Sequence, residues 1–301
     1  MPHTTSHDVE IYYETHGQGE PLLLVMGINA QLIHWPPEFI AGLVDAGFQV
    51  IAFDNRDMGL SQRFEGQRAP TTSRLFRDRL LGLRSKTPYR LEDMAADGFG
   101  VLDELGIASA HLVGASMGGM IAQQMAIQSP KRVKSLTSMM SHTGDRRHFV
   151  AKKQAIDALI GISPTSAEEA GDRMVELIRA IGSPKHLRPE ADLRWLGVAS
   201  YERCFNPAGF RRQLAAIVAS GSRTKALRKL AIPTVVIHGK LDPLILCAGG
   251  QHTAATIPGA RLVLVDEMAH DLPIAFHALY VREIAHVAGI KPTTADKKNR
   301  P

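Results

Sequence analysis

Short stretches that suit strands recur along the chain at 22–26, 48–53, 111–113, 133–140, 233–239 and 261–265, the first a continuous apolar run. Runs of this length without polar alternation fit strands covered on both faces, as in a parallel sheet. Residues 9–15 suit a further strand, closed by the turn His16-Gly17-Gln18-Gly19. Between the runs the spacing becomes helical. Pro36-Pro37 opens a helix over 38–46 that stops at Gly47. Leu91, Met94, Ala95, Val101, Leu102 and Leu105 share one helical face, with Glu92, Asp93, Asp97, Asp103 and Glu104 on the other. A third helix follows Gly119 and ends at Pro130, and a last one runs over 273–289. Strands alternating with helices predict an α/β architecture with a doubly wound, mostly parallel sheet.

The alternation breaks over residues 142–229, where four helical stretches follow one another at 149–160, 165–181, 189–205 and 207–220. Thr165 with Glu168 forms a candidate capping box, and Gly182 a candidate stop. Residues 1–141 and 230–290 therefore make the core, 142–229 a helical cap over the carboxyl ends of the strands, and 291–301 a polar tail expected to be disordered.

Composition narrows the setting. With 301 residues, 45% hydrophobic and 22% charged, the chain can bury a sizeable core. No apolar run approaches the roughly 20 residues needed to span a bilayer. The first eight residues lack the apolar centre of a signal peptide, so a cytoplasmic location is expected. The two cysteines, Cys204 and Cys247, make neither a disulfide framework nor a metal cluster, and both read as packing residues. Net charge is +5, yet residues 63–90 hold eight Lys and Arg against Glu65 and Asp78, a local excess of six. Interleaved aromatics and nucleic-acid motifs are missing there, so the stretch reads as a solvated surface loop and not as a nucleic-acid binder. Composition leaves the oligomeric state open.

Chemistry concentrates at Gly114-Ala115-Ser116-Met117-Gly118-Gly119, where an apolar strand turns into a helix. A serine at such a turn is presented on a strained backbone, and the close chain crossing requires small neighbours, which Gly114, Gly118 and Gly119 supply. A serine hydroxyl needs a base, and a histidine base needs a carboxylate to fix its tautomer. Asp242 follows the strand at 233–239, and His270 lies in the polar loop between the last strand and the last helix. Asp145, Asp266 and Asp271 compete with Asp242 on position, but the order Ser116, Asp242, His270 favours Asp242. All three positions follow strands, at the edge of an open sheet where ligands bind. The backbone N–H groups of Met117 and Ile28, the latter in the loop after 22–26, are candidates for holding a developing oxyanion. Asp54 and Arg56 also follow a strand; a structural ion pair or loop hydrogen bonds suit them better than substrate contact.

These motifs, together with Val25-Met26-Gly27, Trp35-Pro36, the stretch from Phe53 to Ser61, His238-Gly239 and His270-Asp271-Leu272-Pro273, resemble the α/β-hydrolase fold superfamily. Within it, the chain is similar to the bacterial branch of aclacinomycin methylesterase-type serine esterases. The resemblance covers residues 8–289 and implies Ser116 as nucleophile, Asp242 as acid, His270 as base, Met117 and Ile28 as oxyanion donors, a helical cap, and no metal or organic cofactor. Expected is a serine esterase acting on a small-molecule ester through an acyl-enzyme. Lactone opening, carbon–carbon bond hydrolysis and cofactor-free perhydrolysis are alternatives on the same triad; a non-catalytic ligand-binding protein is the alternative from another class.

Overall fold

The computed structural model describes residues 3–6, 9–83 and 85–290. The strands are β1 (His3–Ser6), β2 (Val9–His16), β3 (Glu20–Val25), β4 (Phe48–Phe53), β5 (Ala110–Ala115), β6 (Val133–Met139), β7 (Thr234–Gly239) and β8 (Arg261–Val265). They form one sheet in the order β1-β2-β4-β3-β5-β6-β7-β8, antiparallel at β1/β2 and β2/β4 and parallel from β4 to β8. The early helices are α1 (Pro37–Asp45), α2 (Thr72–Leu80), α3 (Leu91–Glu104) and α4 (Met117–Gln128). Between β6 and β7 lie α5 (Lys153–Ile160), α6 (Ala167–Ile181), α7 (Glu190–Arg203), α8 (Pro207–Ser220) and the short α9 (Thr224–Leu227). The chain then adds α10 (Cys247–Thr256) and α11 (His277–Val287).

The apolar runs are continuous because both faces of the sheet are covered. Leu22 and Leu24 of β3, with Val50 and Ala52 of β4, pack with Phe39 and Leu43 of α1 and Tyr280 and Ile284 of α11. Their neighbours Leu23, Val25, Ile51 and Phe53 point the other way, into a core with Leu91 and Met94 of α3 and Met120 and Ile121 of α4. One register of side chains thus serves two layers, and the carboxyl ends of the parallel strands are left for the functional loops.

Two expectations need correction. The basic segment is not simply a loop: α2 lies inside it, held by Leu75, which is buried with Ala215 and Val218 of α8. Helix α6 is capped by Ser166 instead of Thr165, and no reciprocal box forms. Ser166 accepts from the Glu169 N–H, and the Glu169 carboxylate accepts from the Thr165 N–H and hydroxyl. Gly182 does end α6, but at φ −80°, so a left-handed cap is not what stops the helix. Helix α10 was not anticipated, because its sequence CAGGQHTAAT carries no apolar face. Its small residues reflect close packing: a Cβ at Gly250 would lie 2.3 Å from the His238 ring. The tail 291–301 lies outside the described residues.

Candidate active site

Ser116 caps α4 with φ +57° and ψ −120°, a conformation side chains rarely adopt. Its N–H donates to the Met139 carbonyl at 3.0 Å, and its carbonyl accepts from the Ser141 hydroxyl at 2.8 Å. The crossing of β5, α4 and β3 explains the glycines. A Cβ on Gly118 would stand 1.9 Å from the Val25 carbonyl oxygen, and one on Gly114 2.2 Å from that of Gly118. Contacts this short leave no room for any side chain.

The structure brings Ser116, His270 and Asp242 together from the ends of β5, β8 and β7. Ser116 Oγ is 3.0 Å from His270 Nε2, and His270 Nδ1 is 2.7 Å from Asp242 Oδ2. Asp242 is buried and accepts from the Leu244 and Ile245 N–H groups at 2.9 and 2.8 Å. Burial pushes its carboxyl upward, but the charge of His270 and hydrogen bonds from His238 and His270 outweigh this and hold it well below the ordinary carboxylate range. An ionised carboxylate at Nδ1 keeps the proton on that nitrogen and leaves Nε2 free to accept one. His270 is fixed from a second side: its N–H donates to the Ile181 carbonyl at 2.9 Å. Ser183 accepts from the Ala269 N–H and donates to Asp271. The end of α6 therefore grips the loop that carries the imidazole.

Beyond its place in the His238-Gly239 motif, the sequence gives His238 no role. It is fully buried, but its Nε2 lies 3.3 Å from Asp242 Oδ2 and 2.8 Å from the Ile245 carbonyl. The four-residue spacing from His238 to Asp242 across the β7 turn was the available signal. The rival carboxylates have other partners. Asp145 binds the Arg147 backbone and guanidinium, Asp266 pairs with Lys240, and Asp271 takes Ser183. Asp54 and Arg56 make structural contacts. Asp54 accepts from the Leu32 and Leu60 N–H groups and from Arg203, while Arg56 clamps Asp97 at 2.6 and 2.7 Å.

The loop after β3 faces the serine: a Cβ on Gly27 would lie 3.2 Å from Ser116 Cβ. Among the described residues the N–H groups of Ile28 and Met117 have no hydrogen-bond partner, so both are available to an incoming oxygen. The next residue, Asn29, has φ +57° and donates its N–H to the Gln213 side chain at 2.9 Å. Gln213 is buried in α8 and returns its own amide to the Arg56 carbonyl at 3.0 Å. Gln31 of the same loop donates to the Ser200 carbonyl of α7 and accepts from Arg203.

A cavity of about 200 Å³ opens beside Ser116 and His270, walled by apolar side chains such as Met140, Leu159, Met174, Ile178 and Leu196. Several of these come from α5, α6 and α7. A second cavity of about 570 Å³ adjoins it, sharing Asn29, His34, Met174 and Leu177 in its lining. Among the described residues no group of His, Cys, Asp and Glu is arranged to hold a metal ion.

The sheet order, the turn at Ser116 and the edge on which these loops meet define an α/β-hydrolase fold. A family described as "alpha/beta hydrolase fold" matches residues 20–167, and the chain has that fold. Among particular proteins, it is 29% identical to rhodomycin D methylesterase DauP of Streptomyces sp. (strain C5) over 294 residues, covering 91% of this chain and 93% of that protein. The likeness to rhodomycin D methylesterase DnrP of Streptomyces peucetius has the same identity and coverage. In structure it resembles the meta-cleavage product hydrolase CumD of Pseudomonas fluorescens IP01, with a TM-score of 0.77 at 19% identity, over 96% of this chain and 97% of that one. At that identity the structural likeness bears on the fold alone.

Proposed function

We propose that this protein is a carboxylic ester hydrolase working through an acyl-enzyme on Ser116. The observation that carries the reading is the unbroken chain from Ser116 Oγ through His270 to Asp242, at 3.0 and 2.7 Å. In the first half, Oγ attacks the ester carbonyl carbon as its proton passes to His270 Nε2, and the carbonyl oxygen becomes an oxyanion held by the Ile28 and Met117 N–H groups. Collapse breaks the bond to the alcohol, which leaves with the proton from His270. In the second half, water gives its proton to the same nitrogen, attacks the acyl carbon and releases the acid, and Ser116 recovers its proton. Asp242 orients the imidazole and stabilises its cation. None of these steps calls for a metal or organic cofactor.

Residues 142–229 act in this reading as a cap, since α5, α6 and α7 wall the cavity and the end of α6 holds the His270 loop. The apolar wall fits an ester with an apolar group next to the reacting carbonyl. The likeness to two named methylesterases supports an ester as the substrate. The test is steady-state hydrolysis of a panel of p-nitrophenyl esters and lactones. Ser116→Ala is expected to lower kcat at least about 10³-fold on every substrate the wild type turns over. Retention of near wild-type turnover by that variant would sink the assignment.

A further inference from the structure

The basic segment 63–90 takes no part in the proposed chemistry, yet its structure is unusual for a surface in contact only with water. Helix α2 buries Leu75 against α8 and turns Phe76 outward; at its end and just past it, Leu80, Leu81 and Leu83 are 75%, 62% and 57% exposed. This is not a loose tail. The Leu81 N–H donates to the Arg77 carbonyl at 3.0 Å and the Leu83 N–H to that of Asp78 at 2.7 Å, with Gly82 between them at φ +68°. The Ser85 hydroxyl donates to the buried Asp78 carboxylate at 2.9 Å, closing the turn from beneath. Three leucines are thus held outward on a hydrogen-bonded tip. Large apolar side chains fixed together in water mark an interaction surface.

The charge around the tip selects the partner. Asp78 is shared by Arg74 and Arg77, whose side chains remain mostly exposed, and Lys86 lies on the far side of the turn, exposed as well. The segment's excess of six positive charges exceeds the net charge of the whole chain. A second basic and apolar run, Arg146-Arg147-His148-Phe149-Val150-Ala151-Lys152-Lys153, adjoins it. Phe149 meets Phe76 edge-on at 6.1 Å, Val150 is exposed, and Leu83 and Arg146 line one shallow cleft. Leucines ringed by arginine and lysine match the two layers of an anionic bilayer surface, the acyl boundary and the headgroups. A nucleic acid would be met by stacking aromatics, which the tip does not offer.

We infer that the tip at 80–83, with Arg74, Arg77 and Lys86 and the basic residues of 146–153, is a peripheral docking surface for an anionic lipid bilayer. Docking there sets α2 against the membrane. Thr71, Thr72 and Leu75 line the 570 Å³ cavity together with the exposed Ile160 and Ile162, so this cavity borders the docked face. The inference stands apart from the ester-hydrolase reading, because binding is measured without turnover.

Vesicle co-sedimentation of the full chain tests it, using phosphatidylcholine with about one quarter phosphatidylglycerol against phosphatidylcholine alone, at about 0.1 M and 0.5 M NaCl. Binding to the anionic vesicles is expected at low salt, at least about tenfold weaker on neutral vesicles or at high salt. Combined Leu80→Ser, Leu81→Ser and Leu83→Ser should weaken anionic binding about tenfold or more while leaving Tm and hydrolysis of a soluble ester unchanged. Arg74→Glu with Lys86→Glu should remove the preference for phosphatidylglycerol. Absence of binding to anionic vesicles overturns the inference, as does binding that neither the leucine nor the charge substitutions weaken. So does a monomer–dimer shift in the leucine variant with vesicle binding unchanged, which would make a second copy the occupant.

Discussion

Ser116 is the residue at which local strain and the proposed function coincide. At φ +57° any side chain with a Cβ is disfavoured, and the turn holds it there through the Met139 and Ser141 hydrogen bonds. Comparing two inactive variants isolates this cost, since neither retains the hydroxyl. Ser116→Gly should be more stable to denaturant than Ser116→Ala by about 1 kcal/mol. Equal stabilities would mean that the turn is not strained. His34 offers a second test at this scale. It accepts from the Gln31 N–H at 3.0 Å and lines both cavities. Burial, aided by the charges of Arg188 and Arg203, outweighs a Gln31 backbone hydrogen bond and lowers its pKa from 6.5 to about 4. Between those values the unfolded chain binds the extra proton and the folded one does not. Unfolding free energy should therefore rise with pH across this window, by on the order of 1 kcal/mol per unit, and fall on acidification. His34→Gln should flatten that slope; an unchanged slope would show that His34 is not its source. The glycines and Ser116 were legible in the sequence because sterics at a tight crossing admit few residues. The contact of His238 with Asp242 was not, since a histidine in an apolar strand looks the same whether or not a carboxylate turns back to meet it.

At the level of elements, the loop after β3 is positioned from the other end of the chain. Gln213 on α8 holds the Asn29 N–H with its side-chain oxygen and the Arg56 carbonyl with its amide. The hydrogen bond to Asn29 fixes the Ile28–Asn29 peptide, the neighbour of the Gly27–Ile28 peptide that carries the Ile28 N–H, and so bears on where that N–H points. Gln213→Leu should lower kcat about tenfold with KM little changed, a smaller loss than removal of a full oxyanion donor. A change confined to KM or to Tm would assign Gln213 to substrate binding or to stability instead. Strands β3, β4, β5 and β7 were readable because burial on both faces writes short, largely apolar runs. By contrast, β6 mixes Lys134, Ser135, Thr137 and Ser138 into its run, and β8, at the sheet edge, is exposed at its start. Helix α10 was hidden, because its buried face packs glycine against β7 and has no apolar stripe. Helix α2 was masked by charge: of its apolar side chains only Leu75 faces inward, so the segment reads as polar loop.

For the whole molecule, the parallel sheet sets Ser116, Asp242 and His270 at one edge, and the segment between β6 and β7 encloses it. Asp57 and Arg212, both buried, pair at 2.7 Å and tie α8 to the loop after β4, while Arg203 ties α7 to Asp54. Residues 126 and 28 positions apart converge because each follows a strand of the same sheet. That much follows from chain order. The cavity's shape does not, since it depends on how four helices with few distinguishing signals lie over the sheet. The central claim, that Ser116 attacks and His270 activates it, is tested most directly by a fluorophosphonate probe followed by peptide mass spectrometry. A single adduct on Ser116 is predicted, absent in Ser116→Ala and formed at least about 10³-fold more slowly in His270→Ala. An adduct on another residue, or equal labelling of His270→Ala and the wild type, would contradict it.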